Sequence, residues 1–67
     1  MKNKYKNYLK LIGNNRLLIY QYLELVDIDK EKILIDNLII YGSNLKILIM
    51  DDDKIEIMGT IKTIKVE

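Results

Sequence analysis

Turn-forming residues recur in this chain too often to leave room for anything but short strands. Gly13-Asn14-Asn15, Asp27 to Lys32, Asp36-Asn37, Gly42-Ser43-Asn44, Asp51-Asp52-Asp53 and Gly59-Thr60 punctuate the 67 residues. The runs between them are about five to eight residues, ordinary strand length. Parallel neighbours need a crossover of roughly a dozen residues or more, so strands joined this closely pair antiparallel. The runs alternate and are rich in β-branched isoleucine: the chain has thirteen Ile and ten Leu but no Ala and no Pro. The pattern predicts strands at 16–22, 23–28, 32–36, 38–42, 45–50, 54–59 and 61–66, in meander order. "ILIDNLII" reads as a tight hairpin with Asp36-Asn37 at its corner, both residues being tolerant of positive φ. Asp51–Asp53 reads as a polar corner between two strands.

One phrase is written twice. "LIIYGSNLKIL" and "IEIMGTIKTIKV" each place a glycine, Gly42 and Gly59, between two apolar stretches. Ile55 and Ile57 occupy odd positions, whereas Ile64 and Val66 occupy even ones, so the apolar parity flips beyond Gly59. A flip within a continuous pattern calls for a bulge or bend, which glycine permits. Each phrase therefore reads as a strand, a glycine corner and a second strand.

Residues 1–16 carry Lys2, Lys4, Lys6, Lys10 and Arg16 with no acid, a net of +5; residues 17–67 carry six lysines and ten carboxylates, a net of −4. The expected organisation is a basic segment at 1–10, weakly ordered or the start of the first strand, and a single β domain at 11–67. Tyr5, Tyr8, Leu9 and Ile12 have helical spacing, which predicts a helix over 3–12. Alternation of Leu9 and Leu11 about Lys10 predicts instead a strand at 8–12 pairing with 16–20 across the Gly-Asn turn. Of the two, the periodicity favours the helix. No apolar run approaches the roughly 18 residues of a membrane span, and the N-terminus lacks the cleavage pattern of a signal peptide.

The chain has no Cys and no His, which excludes disulfides, thiol chemistry and the usual zinc sets. Ser43 is the single serine and sits in a Gly-Ser-Asn turn context, with no partner for nucleophilic catalysis. Asp51–Asp53 departs from a calcium loop, since Ile55 stands at its fifth position and no glycine follows in time. No cofactor, metal or catalytic residue is expected, and the chain is read as no enzyme.

The apolar residues exceed what one sheet face holds. Leu18 and Tyr20 lie opposite Leu17 and Ile19 in their strand, Leu34 opposite Ile33 and Ile35, and Leu48 and Met50 opposite Ile47 and Ile49. An antiparallel sheet usually keeps its second face polar. The expected fold is therefore all-β, a small antiparallel meander of six to seven short strands, forming a curled sheet or sandwich completed by self-association. The interaction surface is expected to use Leu18, Tyr20, Leu34, Leu48 and Met50. The alternative is a small β-barrel binding single-stranded nucleic acid through Tyr20, Tyr22 and Tyr41, disfavoured by the acidic balance of the strand region.

Residues 11–67 resemble the YabP/YqfC family of bacterial sporulation proteins. Gly13-Asn14 matches the family's turn before an early strand. Ile40, Gly42, Leu45 and Ile47 match its central core, and Ile57, Gly59, Ile61 and Ile64 match its closing pattern. The resemblance implies a strand at 8–12 and a non-enzymatic part in spore cortex or coat formation. It also implies partners among integral membrane sporulation proteins or coat proteins, in the mother-cell cytoplasm or peripheral at a membrane surface.

Overall fold

The computed structural model describes residues 7–67 and is all-β. Its strands are β1 (Tyr8–Ile12), β2 (Arg16–Tyr20), β3 (Leu25–Ile28), β4 (Lys32–Ile35), β5 (Leu38–Met50) and β6 (Lys54–Val66). They form one antiparallel sheet in the order β1-β2-β6-β5-β4-β3. Residues 8–12 are strand, not the helix that the periodicity favours, because they pair residue by residue with β2; the rest of the helical stripe, at Tyr5, lies outside the described residues. Tyr8 to Lys10, the described end of the basic segment, form the start of the first strand.

Four of the expected strands prove to be two. The runs 38–42 and 45–50 are a single 13-residue β5, and 54–59 with 61–66 a single 13-residue β6. These form a long two-stranded ribbon whose register shifts between Tyr41 and Gly42 and again between Ser43 and Lys46. The glycines mark bends within a continuous ladder, not corners that end strands. A Cβ on Gly42 would lie 1.9 Å from the Thr60 carbonyl oxygen, and one on Gly59 2.6 Å from that of Asn44. Each glycine makes room for the other strand's backbone, which is why the phrase occurs twice.

A hairpin hangs on each half of the bent ribbon. β2 pairs with the first half of β6, with Leu17 opposite Ile57 and Ile19 opposite Ile55. β4 pairs with the first half of β5, with Ile33 opposite Ile40 and Ile35 opposite Leu38. The turns of the hairpins are tied to the bends. Gly59 and Ile61 N–H groups donate to the carbonyls of Asn15 and Asn14, and those of Gly42 and Leu45 to Glu31 and Lys30.

The expected neighbour relation of 16–22 and 23–28 is corrected. β2 sits against β6, and residues 21–24 carry the chain to the opposite edge, where β3 pairs only with β4. Asp36, at φ 55° in the β4–β5 turn, holds this link. Its carboxylate accepts from the Leu23 and Glu24 N–H groups at 3.1 and 2.8 Å, and from Asn7 Nδ2 at 2.8 Å.

Leu17, Ile19, Ile33, Ile35, Ile40, Ile55 and Ile57 are all fully buried. An open single-layer sheet leaves its face in water, so complete burial requires the sheet to fold over on itself. Extents of 33 × 22 × 21 Å agree, because a flat six-stranded sheet is only about 10 Å thick. Leu38 and Leu45 complete the core, with Leu9, Tyr22, Leu25, Ile47, Ile61 and Ile64 packed at its border. The sheet is curled and is not closed into a barrel.

Candidate interaction surface

The side of β1, β2, β6 and the second half of β5 that faces away from this core is organised in three cross-strand rows. Directly opposed residues share a face. Tyr8, Tyr20 and Lys54 form one row; Lys10, Leu18, Glu56 and Ile49 the second; Ile12, Arg16, Met58 and Lys46 the third. Tyr8 and Tyr20 pack ring against ring, their centroids 5.6 Å apart. Tyr8, Ile12, Ile49 and Met58 are exposed, and the bulged Leu48 lies beside them. Four strands at about 4.8 Å and three rows at about 7 Å give a frame of roughly 14 by 14 Å.

Glu56 sits near the middle of this frame. It is only 3% exposed although it points away from the core, and it is the one buried charged residue among those described. The Arg16 guanidinium neutralises it, donating from Nε to Glu56 Oε2 at 2.6 Å and from Nη2 to the same oxygen. Arg16 is the only arginine of the chain, and its side chain is 44% exposed. A planar guanidinium neutralises a buried carboxylate while its outer edge remains available to a partner. The face is thus apolar, carries a neutralised centre, and is rimmed by Lys10, Lys46 and Lys54.

Of the five residues expected to form the sticky surface, the fold gathers three. Leu18 and Tyr20 are half-buried neighbours on β2, and Leu48 is exposed at the β5 margin of the same region. Leu34 lies in the other half of the sheet, opposite Ile39 on β5 and half-buried. The expected grouping of Met50 with Leu48 fails on register. Leu48 is an extra residue between the pairs Ile47–Ile57 and Ile49–Glu56, so beyond it the parity reverses. Met50 therefore opposes Ile55, on the core side, and is exposed at the hairpin rim. Ile49 takes the outer position in its place. Sequence reasoning also missed Arg16, Glu56, Tyr8, Ile12 and Met58. The uniqueness of Arg16 was the available signal.

The three tyrosines considered for base stacking do not share a surface. Tyr20 belongs to the face just described, and Tyr22 packs at the core border with its hydroxyl donating to the Asp51 carbonyl at 2.6 Å. Tyr41 pairs with Lys32 and Thr63 in the other half. Ser43 lies in the β5 bend opposite Thr60. Among the described residues no group of three or more carboxylates is placed to hold a metal ion. An open depression of about 320 Å³ is lined by Lys30, Asn44, Leu45 and Lys46, a set without a hydroxyl, thiol or carboxylate side chain.

No family model, curated protein or solved structure matches this chain. No helix among the described residues is long and apolar enough to cross a membrane.

Proposed function

We propose that the protein is a non-enzymatic assembly module of the YabP/YqfC sporulation type, which self-associates and docks a membrane-bound or coat partner during cortex or coat formation. One observation supports the assembly role above others. The core is complete within the chain, yet Tyr8, Ile12, Leu48, Ile49 and Met58 remain exposed together around the Arg16–Glu56 pair. Folding leaves this apolar area in water, where a second surface laid over it gains by burying it.

Magnitude sets the kind of association. The frame of roughly 200 Å² is well below the ~800 Å² per partner of a stable standard interface. The expected complex is therefore weak and exchanging, gathered by concentration at an assembly site. Sedimentation velocity on the full chain should show mass rising from low to high micromolar concentration. A clean monomer throughout that range overturns the self-association.

The sporulation setting rests on the resemblance of the Gly13-Asn14, Gly42 and Gly59 contexts to the family pattern. Physically, the two ribbon glycines are needed by any chain that bends in this way, so their spacing speaks to fold first and to role by resemblance. Deleting the gene should lower the yield of heat-resistant spores while leaving vegetative growth intact. An undiminished yield counts against the role.

A further inference from the structure

A sheet that is not closed has unpaired strand edges, and these edges are not equivalent here. β3, outermost on one side, is guarded twice. It carries a register shift between Leu25 and Asp27, and bulges blunt edges. Just beyond it the Asp29 N–H donates to the Lys32 carbonyl of β4, so by antiparallel alternation the Ile28 N–H points away from β4. That outward N–H is already taken by the Asp27 carboxylate at 3.0 Å. The free edge of β5 beyond Lys46 is interrupted by the bulge at Leu48. The free edge of β6 beyond Ile61 carries Lys62 and Lys65, and edge lysines discourage pairing.

β1, the outermost strand on the other side, has neither a bulge nor a side chain bonded to an outward N–H among the described residues, and it carries one lysine where the free end of β6 carries two. Its five residues pair with β2 in unbroken register from Tyr8–Tyr20 to Ile12–Arg16. Tyr8, Leu11 and Ile12 are exposed, and Lys10 is the single charge within the strand. A second β1 would set Lys10 against its own kind, and like charges directly opposed destabilise a strand pair.

We infer that β1 is the docking edge of this module and that it takes, as an added antiparallel or parallel strand, an extended partner segment of alternating apolar and acidic residues. Backbone groups along the open side of β1 supply hydrogen bonds, Tyr8, Leu11 and Ile12 supply apolar contact, and Lys10 selects the acidic partner. This deepens the docking role proposed above and rests on it. It also makes the module one-ended at its sheet edges, because β3 cannot pass the pairing on.

The probes are two blocked synthetic peptides of alternating residues, (Glu-Val)4 and (Lys-Val)4, added to the full chain observed by amide NMR and hydrogen exchange. The glutamate peptide should shift amides of residues 8–12 and raise protection on the open side of β1, leaving 25–28 unchanged; the lysine peptide should not. Lys10→Glu, an exposed change, should weaken the glutamate peptide roughly tenfold at low salt and admit the lysine peptide. Shifts centred on β3 or on the Leu18–Glu56 face, equal binding of both peptides, or no binding at millimolar concentration would each overturn the inference. Sedimentation of the chain without peptide separates the two ideas. A monomer whose β1 still captures the glutamate peptide refutes self-association alone, and an oligomer that ignores the peptide refutes the docking edge alone.

Discussion

Replacing Gly42 by alanine tests the account of the bent ribbon directly. Gly42 lacks a left-handed φ, so the backbone itself accepts an L residue. The obstacle is steric. The new Cβ would lie 1.9 Å from the Thr60 carbonyl oxygen, 3.1 Å from its carbon and 3.0 Å from Leu45 Cδ2. Carbon and carbonyl oxygen normally approach no closer than about 3.3 Å, so β6 must withdraw by roughly 1.4 Å at Thr60. That strains the adjoining ladder and opens the core beside Leu45. Overpacking costs about 1–3 kcal/mol and occasionally more, with about 1 kcal/mol for each hydrogen bond lost. A total of about 3–5 kcal/mol is a large part of the roughly 3–10 kcal/mol expected for a chain of this length. At about 4–8 °C per kcal/mol, the melting midpoint should fall by at least about 12 °C. Thermal melts followed by circular dichroism at low micromolar concentration keep any gain from association out of the comparison. Gly13→Ala is the control. Gly13 has φ 62°, but its added Cβ would meet only Asn15 Oδ1, at 3.5 Å. That change costs only the left-handed conformation, about 1–2 kcal/mol. A Gly42→Ala protein that melts within about 4 °C of wild type, or above Gly13→Ala, refutes the close-approach explanation.

Other substitutions probe the remaining elements. Arg16→Ala strips the buried Glu56 carboxylate of its cation and should lose about 2–4 kcal/mol in urea unfolding, whereas the double change Arg16→Met with Glu56→Leu should recover most of that loss; equal losses would contradict the pairing. Leu48→Glu, at an exposed bulge, should disperse the association seen at high micromolar concentration with a stability change below about 0.5 kcal/mol, and unchanged sedimentation would remove Leu48 from the interface. Asp36→Ala deletes the acceptor for Leu23, Glu24 and Asn7 and places a less tolerant residue at φ 55°. It should cost about 2–3 kcal/mol, with hydrogen exchange rising first at residues 21–24.

Local chemistry was enough to write most of the strands. Alternation in 16–20 and 32–35, tolerance of positive φ at Gly13 and Asp36, and the polar run at Asp51–Asp53 each act within a few residues, so the sequence carries them openly. The candidate face was less legible. Leu18, Tyr20 and Leu48 could be read as surplus apolar residues, but Leu48's bulge and the exchange of Met50 for Ile49 depend on the register that β6 imposes on β5. The ion pair was hidden for a similar reason, since Arg16 and Glu56 are 40 residues apart.

The sequence by itself therefore determined an all-β antiparallel chain, free of thiol and imidazole chemistry, with the turns at Gly13–Asn15, Asp29–Glu31, Asp36–Asn37 and Asp51–Asp53 in their places and more apolar side chains than one sheet face holds. Tertiary structure decided that the two glycine phrases are facing bends of one ribbon, that β2 joins β6 while β3 goes to the far edge, and which apolar residues stay in water. The physical reason is range. Turn propensity and strand alternation are properties of neighbouring residues, whereas bends, bulges and edges arise only where two distant backbones meet and one has to yield.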